Sequence, residues 1–179
     1  MRREELEHLL RAASRIAERR DVLVLGSQAI LGTYDEDELP EAATMSIEAD
    51  LAFMGDEDQA IADRVDGILG EDSQFHRTHG FYGQGVAVAV AILPDGWCDR
   101  LVVLEGSNTR PGRGLCLEPH DLVIAKLIAY REKDLEFAAA LIGAGLVTHA
   151  TLVERLEATT SAAPIQIERV RVWLQRHHA

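Results

Sequence analysis

The first third of the chain changes from a helical to an extended pattern of apolar residues. Apolar residues recur every three or four positions over residues 3–20, which predicts an amphipathic helix. A continuous apolar run follows at residues 22–25 and is typical of a buried strand. Gly26 and Ser27 end this run, and residues 28–32 predict a short helix.

The middle of the chain carries mainly extended patterns. Residues 46–53 alternate small or polar side chains with apolar ones, which predicts a strand with two unlike faces. A helical pattern covers residues 57–69. Later strands are predicted at residues 80–93 (a strand or hairpin), 100–105 and 115–117.

The last third of the chain predicts helices alone. Pro119 suits the first turn of a helix, where its missing N–H costs nothing. The pattern then continues to about residue 142, where glycines interrupt it. Two more helices are predicted at residues 148–158 and 164–177.

This order of elements predicts an α/β (α+β) fold, with a small mixed sheet flanked by helices. We expect residues 1–118 to form the core with the sheet. Residues 119–179 should form a helical C-terminal part that packs on this core. A length of 179 residues is enough for a proper hydrophobic core.

Composition narrows the class of protein. The net charge is −12, so binding to nucleic acid would need a local basic patch or metal ions beside an acidic site. No apolar run approaches the roughly 18 residues of a membrane span, and the charged N-terminal stretch is unlike a secretory signal. We expect a cytoplasmic protein in which Cys98 and Cys116 are reduced thiols.

Two carboxylates on the second predicted strand are the first candidate for chemistry. Glu48 and Asp50 are two positions apart, so both point to the same face of a strand. Neighbouring carboxylates repel unless a cation lies between them, and Mg²⁺ often joins such carboxylates to substrate phosphates. The alternative is a solvated face of an edge strand.

The corner after the first strand could complement that acid pair. Gly26 allows a phosphate to approach the backbone, and Ser27 offers a hydroxyl and an N–H at a helix start. Together these groups describe a site for a nucleoside triphosphate (NTP) and its metal ion. The alternative is an ordinary turn. Ser27 does not match a hydrolytic nucleophile, because the second glycine of a nucleophile elbow is absent.

These stretches resemble a known superfamily. "LVLGSQAIL" followed by "SIEADLAF" is similar to the nucleotidyltransferase-fold signature, a Gly-Ser followed by an acid-x-acid strand. The AbiEii and MenT-type nucleotidyltransferase toxins are more closely similar, through "GSQAILG…SIEADL", "LPDGWCDRLV" and "HDLVIAKLIAYREKD". Two features depart from the pattern: a longer gap after Gly-Ser, and Glu48 where Asp is more typical.

The resemblance implies a reaction, a site and partners. A nucleotidyl group would pass from an NTP, ATP among the candidates, to an acceptor, with release of pyrophosphate. Glu48 and Asp50 would hold Mg²⁺, with Mn²⁺ as the alternative ion, while Ser27 and the Gly26 backbone would hold the triphosphate. RNA, in particular tRNA, is the implied acceptor, and an antitoxin the implied protein partner. Two alternatives stay open. The acceptor could be a protein or a small molecule, or the chain could be a degenerate member that binds a nucleotide or a partner without catalysis.

The predicted helix over residues 119–142 supplies the remaining charged candidates. Lys126 is a candidate phosphate ligand, and Asp134 lies two turns along the same face of such a helix. Asp134 could position Lys126 or act as a third carboxylate, and a solvated helix face is the alternative. Arg131 falls among apolar positions, so it either reaches the surface or meets an acid or a phosphate.

The weaker candidates are a third metal ligand and a histidine pair. Asp95, Asp99 or Glu105 could supply a further ligand, and nothing in the sequence selects one. His76 and His79 are three apart without a matching third ligand, so we interpret them as solvated loop histidines.

Overall fold

The computed structural model describes residues 1–177 and shows a mixed sheet with helices around it. The sheet strands are β1 (Asp21–Val24), β2 (Glu48–Ala52), β3 (Tyr82–Gly85), β4 (Val102–Leu104) and β5 (Arg113–Cys116). The α-helices are α1 (Arg3–Ala17), α2 (Glu41–Thr44), α3 (Ala60–Leu69), α4 (Gln74–His79), α5 (Pro119–Ala129), α6 (Glu132–Gly143), α7 (His149–Glu157) and α8 (Pro164–Arg176). A 3₁₀ helix, Ser27–Gly32, follows β1 directly.

The strand order is β3-β2-β1-β5-β4, which confirms the predicted mixed sheet. β1 runs parallel to β5 and antiparallel to β2, while β2 and β3 are parallel. The Leu25 N–H donates to the Asp50 carbonyl at 3.1 Å, just beyond the last paired residues. The chain therefore leaves β1 beside the acidic face of β2.

The central position of β1 explains its continuous apolar run. Val22, Leu23 and Val24 are fully buried, because β1 has a strand on each side and is covered on both faces. Leu6 and Leu9 of α1 are also fully buried, as the amphipathic pattern predicts. Each such side chain contributes about 1.5–3 kcal/mol through burial. This core fixes the end of β1 from which Gly26 emerges.

The predicted strand or hairpin over residues 80–93 is mostly wrong. Only Tyr82–Gly85 pairs with the sheet, and a 3₁₀ turn forms at Val88–Val90. β3 is an edge strand whose one neighbour in the sheet is β2, so the apolar residues that follow have no further strand to join. They pack against the core as an irregular segment instead.

The single helix predicted over residues 119–142 is also wrong, because the chain breaks at Tyr130. Tyr130 takes a left-handed conformation with φ 60° and ψ 29°, which ends α5. The Arg169 guanidinium, from α8, lies 3.9 Å from the centre of the Tyr130 ring and donates to the Ile128 carbonyl at 3.1 Å. The break is therefore stabilised by a distant helix, and no glycine or proline marks it in the sequence.

The helices after residue 118 pack on the elements before it. The Arg100 guanidinium donates twice to the buried carboxylate of Asp121, at 2.8 and 3.1 Å. The Tyr34 hydroxyl donates to the Leu146 carbonyl at 2.8 Å. The division into two parts at residue 118 stays a prediction, and residues 178 and 179 lie outside the described part. None of the helices in residues 1–177 is long and apolar enough to cross a bilayer.

Candidate active site

A cleft of about 360 Å³ opens between the sheet, α5 and the start of α6. It brings together residues that are far apart in the chain, from Leu25 to Gln166. Six of the seven predicted site residues line it: Gly26, Ser27, Glu48, Asp50, Lys126 and Arg131. The seventh, Asp134, does not line the cleft and instead lies behind two of the others.

The acid pair of β2 faces this cleft, as the strand period predicts. Ala49 and Leu51 point into the core and are fully buried, whereas Glu48 and Asp50 are half-buried on the opposite face. Within residues 1–177, neither carboxylate forms a salt bridge. The chain thus brings two acidic side chains together and pairs neither of them with a cation.

Gly26 is required here by space. A Cβ atom at this position would lie 1.7 Å from Asp50 Oδ2 and 2.7 Å from Asp50 Cγ. The φ of Gly26 is −81°, which any residue can adopt, so the close approach of Asp50 explains the glycine. The corner after β1 and the acid pair therefore form one packed unit.

The electrostatics of Asp50 reflect a charge without a nearby partner. Burial and the negative charge of Glu48 raise the pKa of Asp50 above its ordinary value. Lys126, Arg131 and Lys133 act in the opposite direction, and their combined effect is smaller. Asp50 is therefore a carboxylate whose ionised form a bound cation would stabilise.

Ser27 begins the 3₁₀ helix beside this acid pair, and its side chain is free. Gly26 occupies the N-cap position and makes no side-chain cap. In the described part of the chain, the Ser27 hydroxyl forms no hydrogen bond. A polar group without a partner at the cleft wall is available to a ligand.

Lys126, Asp134 and Arg131 form a charged triad on the other side of the cleft. Lys126 Nζ donates to Asp134 Oδ1 at 2.9 Å, and Arg131 Nε donates to Asp134 Oδ2 at 2.6 Å. In a continuous helix, residues eight positions apart would lie about 12 Å apart along the axis. The break at Tyr130 turns α6 back and makes the contact between Lys126 and Asp134 possible.

Burial and pairing act against each other in this triad. Burial raises the pKa of Asp134, but hydrogen bonds from Arg131 and Lys126 outweigh it, so the net pKa lies below its ordinary value. Burial lowers the pKa of Lys126, which is only 8% exposed, and Asp134 opposes that shift. The Lys126 ammonium also lies 4.7 Å from the centre of the Phe137 ring. Asp134 is thus held ionised between two cations.

The side of the cleft opposite the acid pair carries three cations, Lys126, Arg131 and Lys133, in a strongly acidic chain. The sequence contains two lysines, Lys126 and Lys133, and both line this cleft. Lys133 is exposed and forms no salt bridge within residues 1–177. The cleft also has apolar lining residues, among them Ile92, and Leu122 and Ala125 of α5.

The sequence reasoning missed one residue at the acid pair. Tyr82 on β3 is paired with Glu48 across the parallel strands, and its hydroxyl donates to Glu48 Oε2 at 3.2 Å. Burial and the negative charge of Glu48 raise the pKa of Tyr82 to about 12. The alternation in "YGQG" places Tyr82 and Gln84 on one face, but the parallel register that brings this face to β2 cannot be read from the sequence.

The other acids proposed as metal ligands do not line the cleft. Asp95 accepts hydrogen bonds from the Thr160 hydroxyl, and Glu105 pairs with Arg20. Asp99 lies on a separate 3₁₀ turn, Trp97–Arg100. Within residues 1–177, no group of three or more His, Cys, Asp or Glu residues is arranged to hold a metal ion.

The histidines predicted to lie in a loop are instead on α4. The His79 ring lies 4.7 Å from His8 and 4.5 Å from Phe75, and the His76 ring lies 4.7 Å from Tyr82, between ring centres. The loop placement is therefore wrong, because both histidines lie on a helix and contact aromatic rings. His79 is nevertheless exposed and His76 partly exposed, as expected for solvated side chains. Ser73 is the sequence feature that indicates this helix, since serine is a common N-cap residue. Its hydroxyl accepts a hydrogen bond from the His76 N–H at 3.1 Å.

Two carboxylates fit a magnesium ion that shares its coordination with a substrate. Mg²⁺ is commonly bound by one or two carboxylates together with phosphate oxygens and water, so a third protein carboxylate is not required. Glu48 and Asp50 present oxygen donors on one wall, and the burial of Asp50 together with the charge of Glu48 disfavours the pair without a cation. The donor set therefore suits a hard divalent ion.

Comparison with known proteins agrees with this arrangement at the level of the family. No curated protein and no solved structure gives a significant match to the chain. A family model described as "Nucleotidyltransferase of unknown function (DUF6036)" matches residues 4–174, which include the whole sheet and every side chain of the cleft. The chain therefore belongs to this family of nucleotidyltransferases.

Proposed function

We propose that this protein is a metal-dependent nucleotidyltransferase that transfers a nucleoside monophosphate from an NTP to an acceptor. The observation that carries the proposal is one cleft with two unpaired carboxylates on one wall and two lysines and an arginine on another. An NTP with a divalent ion needs that combination, because its charge is negative and its metal ion requires oxygen ligands.

The acid pair and the corner after β1 receive the metal and the phosphates in this proposal. Glu48 and Asp50 hold Mg²⁺ or Mn²⁺. When bound, such an ion neutralises charge on the phosphate oxygens and orients the α-phosphate for attack. The free hydroxyl of Ser27 and the half-buried backbone at Gly26, both of which line the cleft, bind the triphosphate.

The triad gives the leaving group its counter-charge. Lys126 faces the cleft and stabilises the charge that develops on pyrophosphate, while Arg131 offers a second, more exposed cation. Of the two roles open to Asp134, positioning is the one its contacts support. Both of its oxygens are bonded to Lys126 and Arg131, and its side chain is fully buried.

The apolar residues of the cleft suit the nucleobase. Ile92, Leu122 and Ala125 provide an apolar surface in the same cleft as the acid pair. In the reaction, the acceptor oxygen bonds to the α-phosphorus while the bond from that phosphorus to the β-phosphate oxygen breaks. The acceptor hydroxyl loses its proton to a carboxylate or to water, and pyrophosphate leaves.

RNA, in particular tRNA, is the acceptor that we propose, and the role is that of a toxin held inactive by an antitoxin. This part of the proposal rests on the resemblance to the AbiEii and MenT-type toxins through "HDLVIAKLIAYREKD", which contains the whole triad. The basic residues at the cleft provide the local patch that an RNA acceptor needs in a chain of net charge −12.

Two alternative functions are each supported by separate features of the chain. The strongly acidic surface favours a protein or small-molecule acceptor, since it repels RNA outside the cleft. The longer gap after Gly-Ser and the glutamate at position 48 favour a degenerate member that binds a nucleotide without catalysis.

A labelling experiment tests the proposal and separates these readings. The protein is incubated with each α-³²P-labelled NTP, Mg²⁺ and total cellular RNA, beside Glu48→Ala, Asp50→Ala and the control Asp63→Ala, an exposed acid of α3. We expect label on RNA with the wild type and the control, and none with the two cleft variants. Label on protein or small molecules would replace the RNA acceptor, and NTP binding without any transfer would overturn the enzymatic role.

A further inference from the structure

We propose that Tyr82 is a positioning residue that fixes the Glu48 carboxylate for metal binding. This inference rests on the proposed function, because it concerns the metal site of the same cleft. The Tyr82 hydroxyl donates to Glu48 Oε2 at 3.2 Å, and this is the hydrogen bond that holds the Glu48 carboxylate within residues 1–177.

The need for such a contact follows from the length of the side chain. The carboxylate of Glu48 lies at the end of a side chain with one more rotatable bond than aspartate has, so it can reach more positions. A carboxylate that must meet a metal in a single position loses that freedom on binding, at a cost in affinity. A donor that fixes one oxygen beforehand removes part of the cost and leaves the other oxygen for the ion.

Tyr82 is itself held rigidly enough to act in this way. Its backbone is in register with Glu48 across the parallel pair of β2 and β3. Its side chain is only 9% exposed, and the His76 ring packs against it at 4.7 Å between ring centres. The strand register sets the distance to Glu48, and His76 restrains the ring.

The register also separates this role from that of a residue that touches substrate. Gln84, two positions further along β3, lies opposite Asp50 and lines the cleft, whereas Tyr82 does not. Tyr82 therefore acts through Glu48. Its loss should change metal affinity, while the apolar lining residues of the cleft, where the nucleobase is proposed to bind, stay unaltered.

The test measures binding of Mn²⁺ alone, from the free-ion signal in electron paramagnetic resonance. The variants are Tyr82→Phe, Glu48→Ala, Asp50→Ala and the control Tyr34→Phe, which loses a hydroxyl that donates to a backbone carbonyl away from the cleft. We expect Tyr82→Phe to weaken Mn²⁺ binding about 10-fold, as for other hydrogen-bond partners of metal ligands, and Tyr34→Phe to leave it unchanged. Melting temperatures show whether each variant is folded.

A double-mutant cycle separates positioning from a general effect on the fold. In the Glu48→Asp background the carboxylate is withdrawn by about one bond length, roughly 1.5 Å, out of hydrogen-bond range of Tyr82. Tyr82→Phe should then change Mn²⁺ affinity less than about 2-fold. An equal loss in both backgrounds, or no loss in either, would overturn the role of Tyr82. If the wild type bound Mn²⁺ no better than Asp50→Ala, the metal site itself would be wrong.

Discussion

Asp50 and Asp134 lie near the same cleft, and the chain treats their charges in opposite ways. Asp134 is fully buried and receives hydrogen bonds from Lys126 and Arg131, so its pKa is lowered. Asp50 is half-buried beside a second acid, and its pKa is raised. The difference teaches that the protein supplies a bonded counter-charge for Asp134 and none for Asp50, which agrees with the metal site proposed at Asp50. Asp134 serves the architecture, and Asp50 is available for binding.

Removal of the Asp134 charge should cause the largest loss of stability among these variants. Asp134→Asn leaves Lys126 as a buried cation without a partner, which should cost about 3–5 kcal/mol in the free energy of unfolding. Denaturation by urea would measure this loss. Arg131→Gln is the matched control, because the Arg131 side chain is 62% exposed and its pair should be worth under about 1 kcal/mol. Equal losses would mean that burial does not distinguish the two cations.

Gly26→Ala should disturb Asp50 while its charge is kept. The new Cβ would meet Asp50 Oδ2 at 1.7 Å, so the carboxylate must move or the corner after β1 must shift, at about 1–3 kcal/mol. We expect nucleotidyl transfer to fall with Mg²⁺ affinity. Gly67→Ala is the matched control, since nothing lies within 4 Å of a Cβ there and α3 should gain about 0.5–1 kcal/mol. Full activity in Gly26→Ala would contradict the close packing of Gly26 and Asp50.

Asp50→Asn should have a smaller effect on stability, of opposite sign to Asp134→Asn. Removing a charge that is half-buried beside Glu48 should stabilise the metal-free protein by about 0.5–2 kcal/mol. We expect Mg²⁺ to raise the melting temperature of the wild type, and the same variant should lose both this rise and transfer activity. Scanning calorimetry with and without Mg²⁺ measures both, and a destabilised variant would show that Asp50 has a structural partner.

The pH dependence of stability should differ between Asp50 and Asp134, and this is the smallest of the expected effects. The raised pKa of Asp50 means that its contribution to stability is present below its unfolded value of 3.8 and is lost as the pH rises through the folded value. The lowered pKa of Asp134 means that its contribution is present above 3.8 and is lost as the pH falls through its folded value. Between pH 7 and 4, the stability difference from the wild type should shrink for Asp50→Asn and persist for Asp134→Asn. Parallel profiles would contradict the opposite shifts.

The sequence alone predicts how the strand residues of the site are arranged. The alternation around Glu48 and Asp50 places both on one face, and the apolar run before Gly26 predicts a buried strand, because both patterns depend only on local periodicity. The structure places these residues on one cleft wall. Their roles in binding metal and phosphate stay predictions.

The helical wall could not be predicted in the same way. Tyr130 is not a typical turn residue, and the contacts at this break come from Arg169, 39 positions later in the chain. Lys126 and Asp134 contact each other because the helix breaks between them. A helical wheel drawn for one long helix instead places them about two turns apart, without contact. Tyr82 was missed for a similar reason, since a parallel strand register is set by tertiary packing.

The position of the two lysines has a practical consequence. Because the side chains of Lys126 and Lys133 both line the cleft, acylation of lysine by an amine-reactive reagent reports on that cleft alone. The exposed Lys133 should be modified quickly and the buried Lys126 slowly, and peptide mass spectrometry resolves them, since they fall in separate fragments after cleavage at Arg131. Protection of either amine by a small molecule would therefore footprint its position in the cleft before any turnover is observed.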